Sequence, residues 1–142
     1  MDNTDLNIIN ILQKNGRSTI KEIGEQVGLT SPAVTERIRR LEGAEVITGY
    51  TAKVDLSKMG KKISAYINVD VYPKKYELFC KFCQETDEII EHHHIIGVYN
   101  SLLRVAVESS EQLELLLGHI KDYGNSQTSV LLKSYFKNKD VK

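Results

Sequence analysis

The sequence predicts an α+β chain of two domains, three helices followed by a βαββαβ sandwich of the ferredoxin-like kind. Two observations predict it. Apolar residues recur at helical spacing between Leu6 and Leu41, and beyond Lys62 the period becomes two: Ile63, Ala65, Ile67, Val69 and Val71 alternate with Ser64, Tyr66, Asn68, Asp70 and Tyr72. Between the two regimes, residues 55–62 have few apolar side chains and contain Met59-Gly60, so they read as a linker between domains at 1–54 and 63–142.

In the first helix Asp2 is a cap, Leu6, Ile8, Ile9 and Leu12 are apolar, and Asn15-Gly16 is a stop signal. The second opens on a capping box, because Thr19 can accept from the N–H of Glu22 while that carboxylate reaches back. Ile20, Ile23 and Val27 share one face, Gly24 between them admits a second helix backbone, and Gly28 ends the helix left-handed. Leu29 plugs the turn. The third helix takes Ser31 as N-cap and Pro32 at its first position, and buries Val34, Ile38 and Leu41. That leaves Pro32, Glu36, Arg39 and Arg40 outward, flanked by Ala33, Thr35 and Arg37. Val46-Ile47 and residues 50–54, separated by Thr48-Gly49, read as a β-ribbon, which makes the unit a three-helix winged helix-turn-helix.

In the second domain the strand at 63–71 is followed by a helix from Pro73 to about Gln84, strands over 89–96 and 102–107, a helix from Ser110, and a last strand over 128–136. Ser109 caps the second helix with Gln112 as its box partner, Leu113, Leu116, Leu117 and Ile120 form its core stripe, and Gly124 ends it. The order implies an antiparallel sheet with both helices on one face. Tyr66, Tyr72, Leu131 and Tyr135 fall on the other phase, an uncovered surface that predicts a homodimer or higher assembly.

The spacing from Thr19 to Leu41 is that of a helix-turn-helix reading double-stranded DNA, in which short side chains let the helix enter a major groove and arginines take guanine edges or phosphate. The candidate contacts are Thr19, Ser31, Pro32, Ala33, Thr35, Glu36, Arg37, Arg39 and Arg40; the competing reading is a helical hairpin with a solvated charged face. Charge does not decide between them. The chain is neutral overall, with eight basic against eight acidic residues over 1–60 and eleven against eleven over 61–142. DNA affinity must therefore come from the local arginine cluster and from linked copies.

Other classes have little support. No stretch reaches the length of an apolar membrane span and the N-terminus has no signal pattern, so the chain reads as cytoplasmic. Cys80-Lys81-Phe82-Cys83 has CxxC spacing, yet Tyr76, Phe79, Cys80 and Cys83 follow i, i+3, i+4, i+7, which places both thiols on a core stripe in mid-helix. His92-His93-His94 would point to alternate faces of a strand and cannot ligate one ion together. No metal or cofactor is expected, and no nucleophile-base set or phosphate loop suggests an enzyme.

Four separated stretches carry a family resemblance: D-L-N-I-I-N-I-L-Q-K-N-G-R at 5–17, L-T-S-P-A-V-T-E-R-I-R-R-L-E at 29–42, V-D-L-S-K-M-G at 54–60 and I-I-G-V-Y-N-S-L-L-R-V at 95–105. In this order, over nearly the whole length, the chain resembles the Lrp/AsnC (feast/famine) transcription regulators of bacteria and archaea. The resemblance implies an N-terminal DNA-binding domain and a C-terminal effector-sensing and oligomerisation domain, assembly as dimers and often rings of four dimers, and effectors that are commonly amino acids. It places an effector pocket at the turn Gly97, Val98, Tyr99 and Asn100, with Gln127 and Thr128 as further candidates. The family usually has an aspartate where this chain has Asn100; a neutral amide cannot pair with an ammonium group as a carboxylate does, which favours an alternative, an architectural DNA-bending or wrapping protein with little effector control.

Overall fold

The computed structural model describes residues 1–142, which form two compact units: Met1–Lys53 with Phe136–Lys142, and Val54–Tyr135.

The first unit packs α1 (Asn3–Lys14), α2 (Ile20–Val27) and α3 (Ser31–Gly43) around Ile8, Ile23, Val34, Ile38 and Leu41. The expected caps of α1 and α2 form. Asp5 N–H donates to the Asp2 carboxylate at 2.9 Å and Asp2 N–H to Asp5 at 3.0 Å, while Thr19 N–H donates to Glu22 at 2.8 Å and Glu22 N–H to the Thr19 hydroxyl at 3.2 Å. Gly28 is left-handed, with φ of 70°.

Three expectations in this unit are corrected. The third helix begins one residue earlier, with Thr30 as an N-cap that makes no side-chain bond; Ser31 is helical, and Pro32 still sits in the first turn where no intrahelical N–H is needed. A Cβ on Gly24 would lie 2.6 Å from the Leu29 carbonyl, so this glycine admits the backbone of the turn rather than another helix. Residues 44–54 form no β-ribbon. The N–H groups of Val46 and Ile47 both donate to Leu41 O, at 2.9 and 3.2 Å, and close the end of α3 instead of pairing with a strand. An isolated two-stranded ribbon would have had little to hold it.

The second unit has an antiparallel sheet in the order β2-β3-β1-β4, built from β1 (Ile63–Val71), β2 (Ile89–His94), β3 (Ser101–Val107) and β4 (Gly124–Val130). Phe79 and Cys83 of α4 (Tyr76–Glu85), and Leu113, Leu116 and Ile120 of α5 (Ser110–Ile120), cover the buried row Ala65, Ile67, Val69 and Val71 and its β3 counterpart Leu103, Val105 and Val107. The chain enters α4 through a 3-10 turn at Pro73–Lys75. The linker residues are ordered by a side chain: Asp55 accepts from Ser57 N–H at 3.0 Å and from its hydroxyl at 2.6 Å. At α5, Gln112 N–H donates to Ser109 as expected, but the Gln112 side chain accepts from Glu108 N–H at 2.7 Å, one residue before the cap.

The last strand also differs from expectation. Gly124 does not end α5 but opens β4, where a Cβ would lie 2.0 Å from Asp70 O. The strand stops at Val130, because Val130 already stands opposite Ala65 and Leu131 N–H reaches Ser64 O at 2.8 Å; the next residues run past the start of β1 and have no partner. Tyr72 and Tyr135 thus lie outside the strands. The face opposite the helices is mainly polar, with Tyr66 between Arg104 and Ser129 and Asn68 between Leu102 and Gln127.

Candidate nucleic-acid interface

The reading face follows from how α3 is buried. Val34, Ile38 and Leu41 face the core, and the opposite side exposes Ser31, Pro32, Thr35, Glu36, Arg39 and Arg40, with Ala33 and Arg37 half-buried at its margins. No large apolar side chain interrupts that surface. The Thr35 hydroxyl donates to Ser31 O at 2.9 Å, which spends its proton within the helix and leaves its oxygen to accept. Thr19, at the start of α2, is exposed and accepts from Glu22 N–H.

The three arginines differ. Arg37 Nη1 donates to both Asp2 oxygens, at 2.9 and 2.8 Å, and to Asp5 at 2.7 Å, so its guanidinium ties α3 to the start of α1. The backbone N–H groups of the capping box, and then Arg37, hold both carboxyls below their usual range. Arg39 makes a two-point pair with Glu36, at 2.9 and 3.0 Å, on fully solvated helix surface; this pair holds the Glu36 carboxyl low. Arg40 is exposed and reaches Asp5 only at 3.9 Å. Two arginines are therefore free, or freed at small cost, on the outward face. Sequence spacing did not reveal the fate of Arg37. The acidic capping box was legible, but only packing brings it to the third helix.

The turn at 97–100 is built differently from a ligand-ready loop. Asn100 Oδ1 accepts from Val71 N–H at 2.9 Å and Asn100 Nδ2 donates to Val71 O at 3.0 Å, so its amide is fully engaged with the end of β1. Gly97 and Val98 are exposed and Tyr99 is half-buried. Gly124 stands opposite Val71, so the start of β4 approaches the same end of β1 as the turn. Gln127 and Thr128, however, face opposite sides of the sheet, beside Asn68 and Ile67 respectively. The structure does not bring those two together.

The cysteines and histidines settle into packing and hydrogen bonding. Cys83 is buried and its thiol is pushed up to about 12, by burial first and then by Cys80. His93 faces away from His92 and His94, beside Leu102, and meets Glu91 at 3.1 Å.

This architecture has known counterparts. Residues 1–42 match the AsnC-type helix-turn-helix domain and residues 64–141 match the Lrp/AsnC ligand binding domain. The chain belongs to the Lrp/AsnC family. Among Lrp/AsnC proteins it is 39% identical to the HTH-type transcriptional regulator YezC of Bacillus subtilis, over 94% of this chain and 95% of that protein. It is 34% identical to LrpC of the same organism, over 92% and 91%. The solved structure of B. subtilis LrpC superposes with a TM-score of 0.92 at 32% identity, covering 97% of this chain and 99% of that one. A feast or famine regulatory protein from M. tuberculosis, complexed with L-methionine, superposes with a TM-score of 0.87 at 25% identity, covering 99% and 97%. This Lrp/AsnC chain is an HTH-type DNA-binding transcriptional regulator and not an enzyme. No helix is long and apolar enough to cross a membrane.

Proposed function

We propose that the protein reads double-stranded DNA with the outward face of α3, through Arg39 and Arg40, with Ser31, Pro32, Ala33, Thr35 and Glu36 shaping base choice and Thr19 approaching the phosphate backbone. The observation that carries this reading is the uninterrupted polar face from Ser31 to Arg40 above a fully apolar core stripe. Arg39 exchanges an exposed ion pair with Glu36 for a base edge or phosphate at little cost. Arg37 acts as a positioning residue, holding α3 against α1.

In this reading two or more copies act together, because a neutral chain with two free arginines has little affinity alone. The open sheet face supports self-association: Arg104 Nη1 is held by Glu91 at 2.9 Å, while the buried Arg104 Nε has no partner within the chain. A small effector, an amino acid by analogy with the methionine complex, would be bound near Gly97, Val98 and Tyr99, with Gln127 and Thr128 as the facing candidates. The engagement of Asn100 with Val71 favours a second reading, an architectural DNA-bending or wrapping protein with little effector control.

Footprinting with and without a panel of amino acids separates these readings. Protection that changes with one amino acid supports the effector-controlled regulator, and protection insensitive to all of them supports the architectural one. Absence of any protected site would overturn both.

A further inference from the structure

Beneath the turn at 95–100 a chain of hydrogen bonds joins β2 to β3 through α4. The Tyr76 hydroxyl lies 2.6 Å from His94 Nδ1 and 3.0 Å from the Ser101 hydroxyl, and Ser101 Oγ lies 3.3 Å from His92 Nε2. Ser101 is fully buried, so no water can replace a partner it loses. Tyr76 has one alternative acceptor, the Asn100 carbonyl, at 3.5 Å.

Proton counting makes this chain sensitive to charge. Three contacts need three hydrogens; the two hydroxyls supply two, and one imidazole nitrogen supplies the third. With both rings neutral, or with His94 alone charged, every contact is made: His94 donates to Tyr76, Tyr76 to Ser101, and Ser101 to His92. With both rings charged, each imidazole donates inward and one hydroxyl hydrogen has no place in the chain. The Tyr76 hydrogen must then turn to the distant Asn100 carbonyl, which weakens the attachment of the turn.

We propose that the His92–Ser101–Tyr76–His94 chain is a proton-sensing site that loosens the 95–100 turn when both histidines are charged. The surroundings offer no compensating charge. Phe79 of α4 packs edge-on against His92 at 5.4 Å, β3 presents Leu103 and Ser101 beside the two histidines, and β1 presents Ile67 and Val69 in the same rows. The charged group of the strand itself, Glu91, faces the opposite side with His93 and Arg104. Burial, followed by the neighbouring His93 and His94, already disfavours charge on His92. The inference makes the proton an input at the turn to which effector binding is assigned above, but its test needs neither DNA nor effector.

Hydrogen exchange of the turn amides, corrected for the intrinsic pH dependence of exchange, tests it on the full chain. Between pH 7.5 and 5.5 the opening of residues 95–100 should rise about fivefold, the effect of losing one hydrogen bond. Tyr76→Phe should remove this pH dependence, and His93→Gln, on the other face, should preserve it. If Tyr76→Phe disturbs the fold, His94→Gln makes the same test, since it removes one of the two charges. Identical corrected exchange at the two pH values, or an undiminished response in both variants, would overturn the proposal. Loss of DNA binding with the exchange response intact would instead count against the proposed function alone.

Discussion

Asn100 and Val71 form a rung of β-ladder in which a side-chain amide takes the part of a peptide: Val71 N–H donates to Asn100 Oδ1 and Asn100 Nδ2 donates to Val71 O. The pairing also fixes the orientation of the amide, since Val71 supplies one donor and one acceptor. Asn100 N–H adds a bond to Val69 O at 3.3 Å, so the turn between β2 and β3 is fastened to β1 beyond the end of the regular strand pairing.

The fastening predicts that Asn100→Asp is destabilising, although it restores the residue usual in the family. At neutral pH a carboxylate loses the bond to Val71 O and faces that carbonyl, a cost of about 1–3 kcal/mol. Urea unfolding should show the loss, and lowering the pH should reduce it, because a protonated carboxyl can donate again. An Asn100→Asp chain as stable as the parent would show that the rung contributes nothing.

The arginines of α3 should separate into two behaviours. Arg39→Ala and Arg40→Ala should weaken DNA binding by about 1–3 kcal/mol, either at one operator position or uniformly, with little change in Tm. Arg37→Ala should lower Tm first, because it leaves Asp2 and Asp5 without their common partner. Calorimetry beside fluorescence anisotropy on operator DNA distinguishes them.

The same cluster sets an acid limit for the first unit. Asp2 and Asp5 have carboxyls held below their ordinary value of 3.8, so the folded state binds fewer protons than the unfolded one as pH falls through that region. The stabilisation is fully present above about pH 5 and is lost progressively on acidification through the depressed folded values. Arg37→Ala should make stability less dependent on pH in this range, because one of the causes of the depression is removed. An unchanged acid limb would show that the backbone bonds of the capping box supply the whole effect.

Two helix glycines should respond in opposite directions to alanine. At Gly24 the new methyl meets the Leu29 carbonyl at 2.6 Å, a backbone contact that cannot swing away, and the cost should be about 1–3 kcal/mol. At Gly118, in α5, no atom lies within 4 Å of the new methyl, and Gly118→Ala should stabilise by about 0.5–1 kcal/mol. Thermal unfolding of the two variants measures both signs.

The sequence by itself determined the element order, the buried stripes and most of the caps, because these depend on spacing along a helix or strand and on residues three positions apart. Thr19 with Glu22, Gly28, Ser109, and the alternation from Ile63 to Val71 are all of this local kind. It also carried the family resemblance and the outward face of α3. Only tertiary structure decided which arginines remain available, since Arg37 meets Asp2 and Asp5 across more than thirty residues. The same holds for the missing ribbon at 44–54, whose N–H groups were claimed by the end of α3, and for β4, whose length is set by where β1 begins. Asn100 looked like turn chemistry or a ligand contact. Its bond to Val71 exists because folding brings two distant backbone segments within reach of one amide, and no spacing rule in a single segment contains that information.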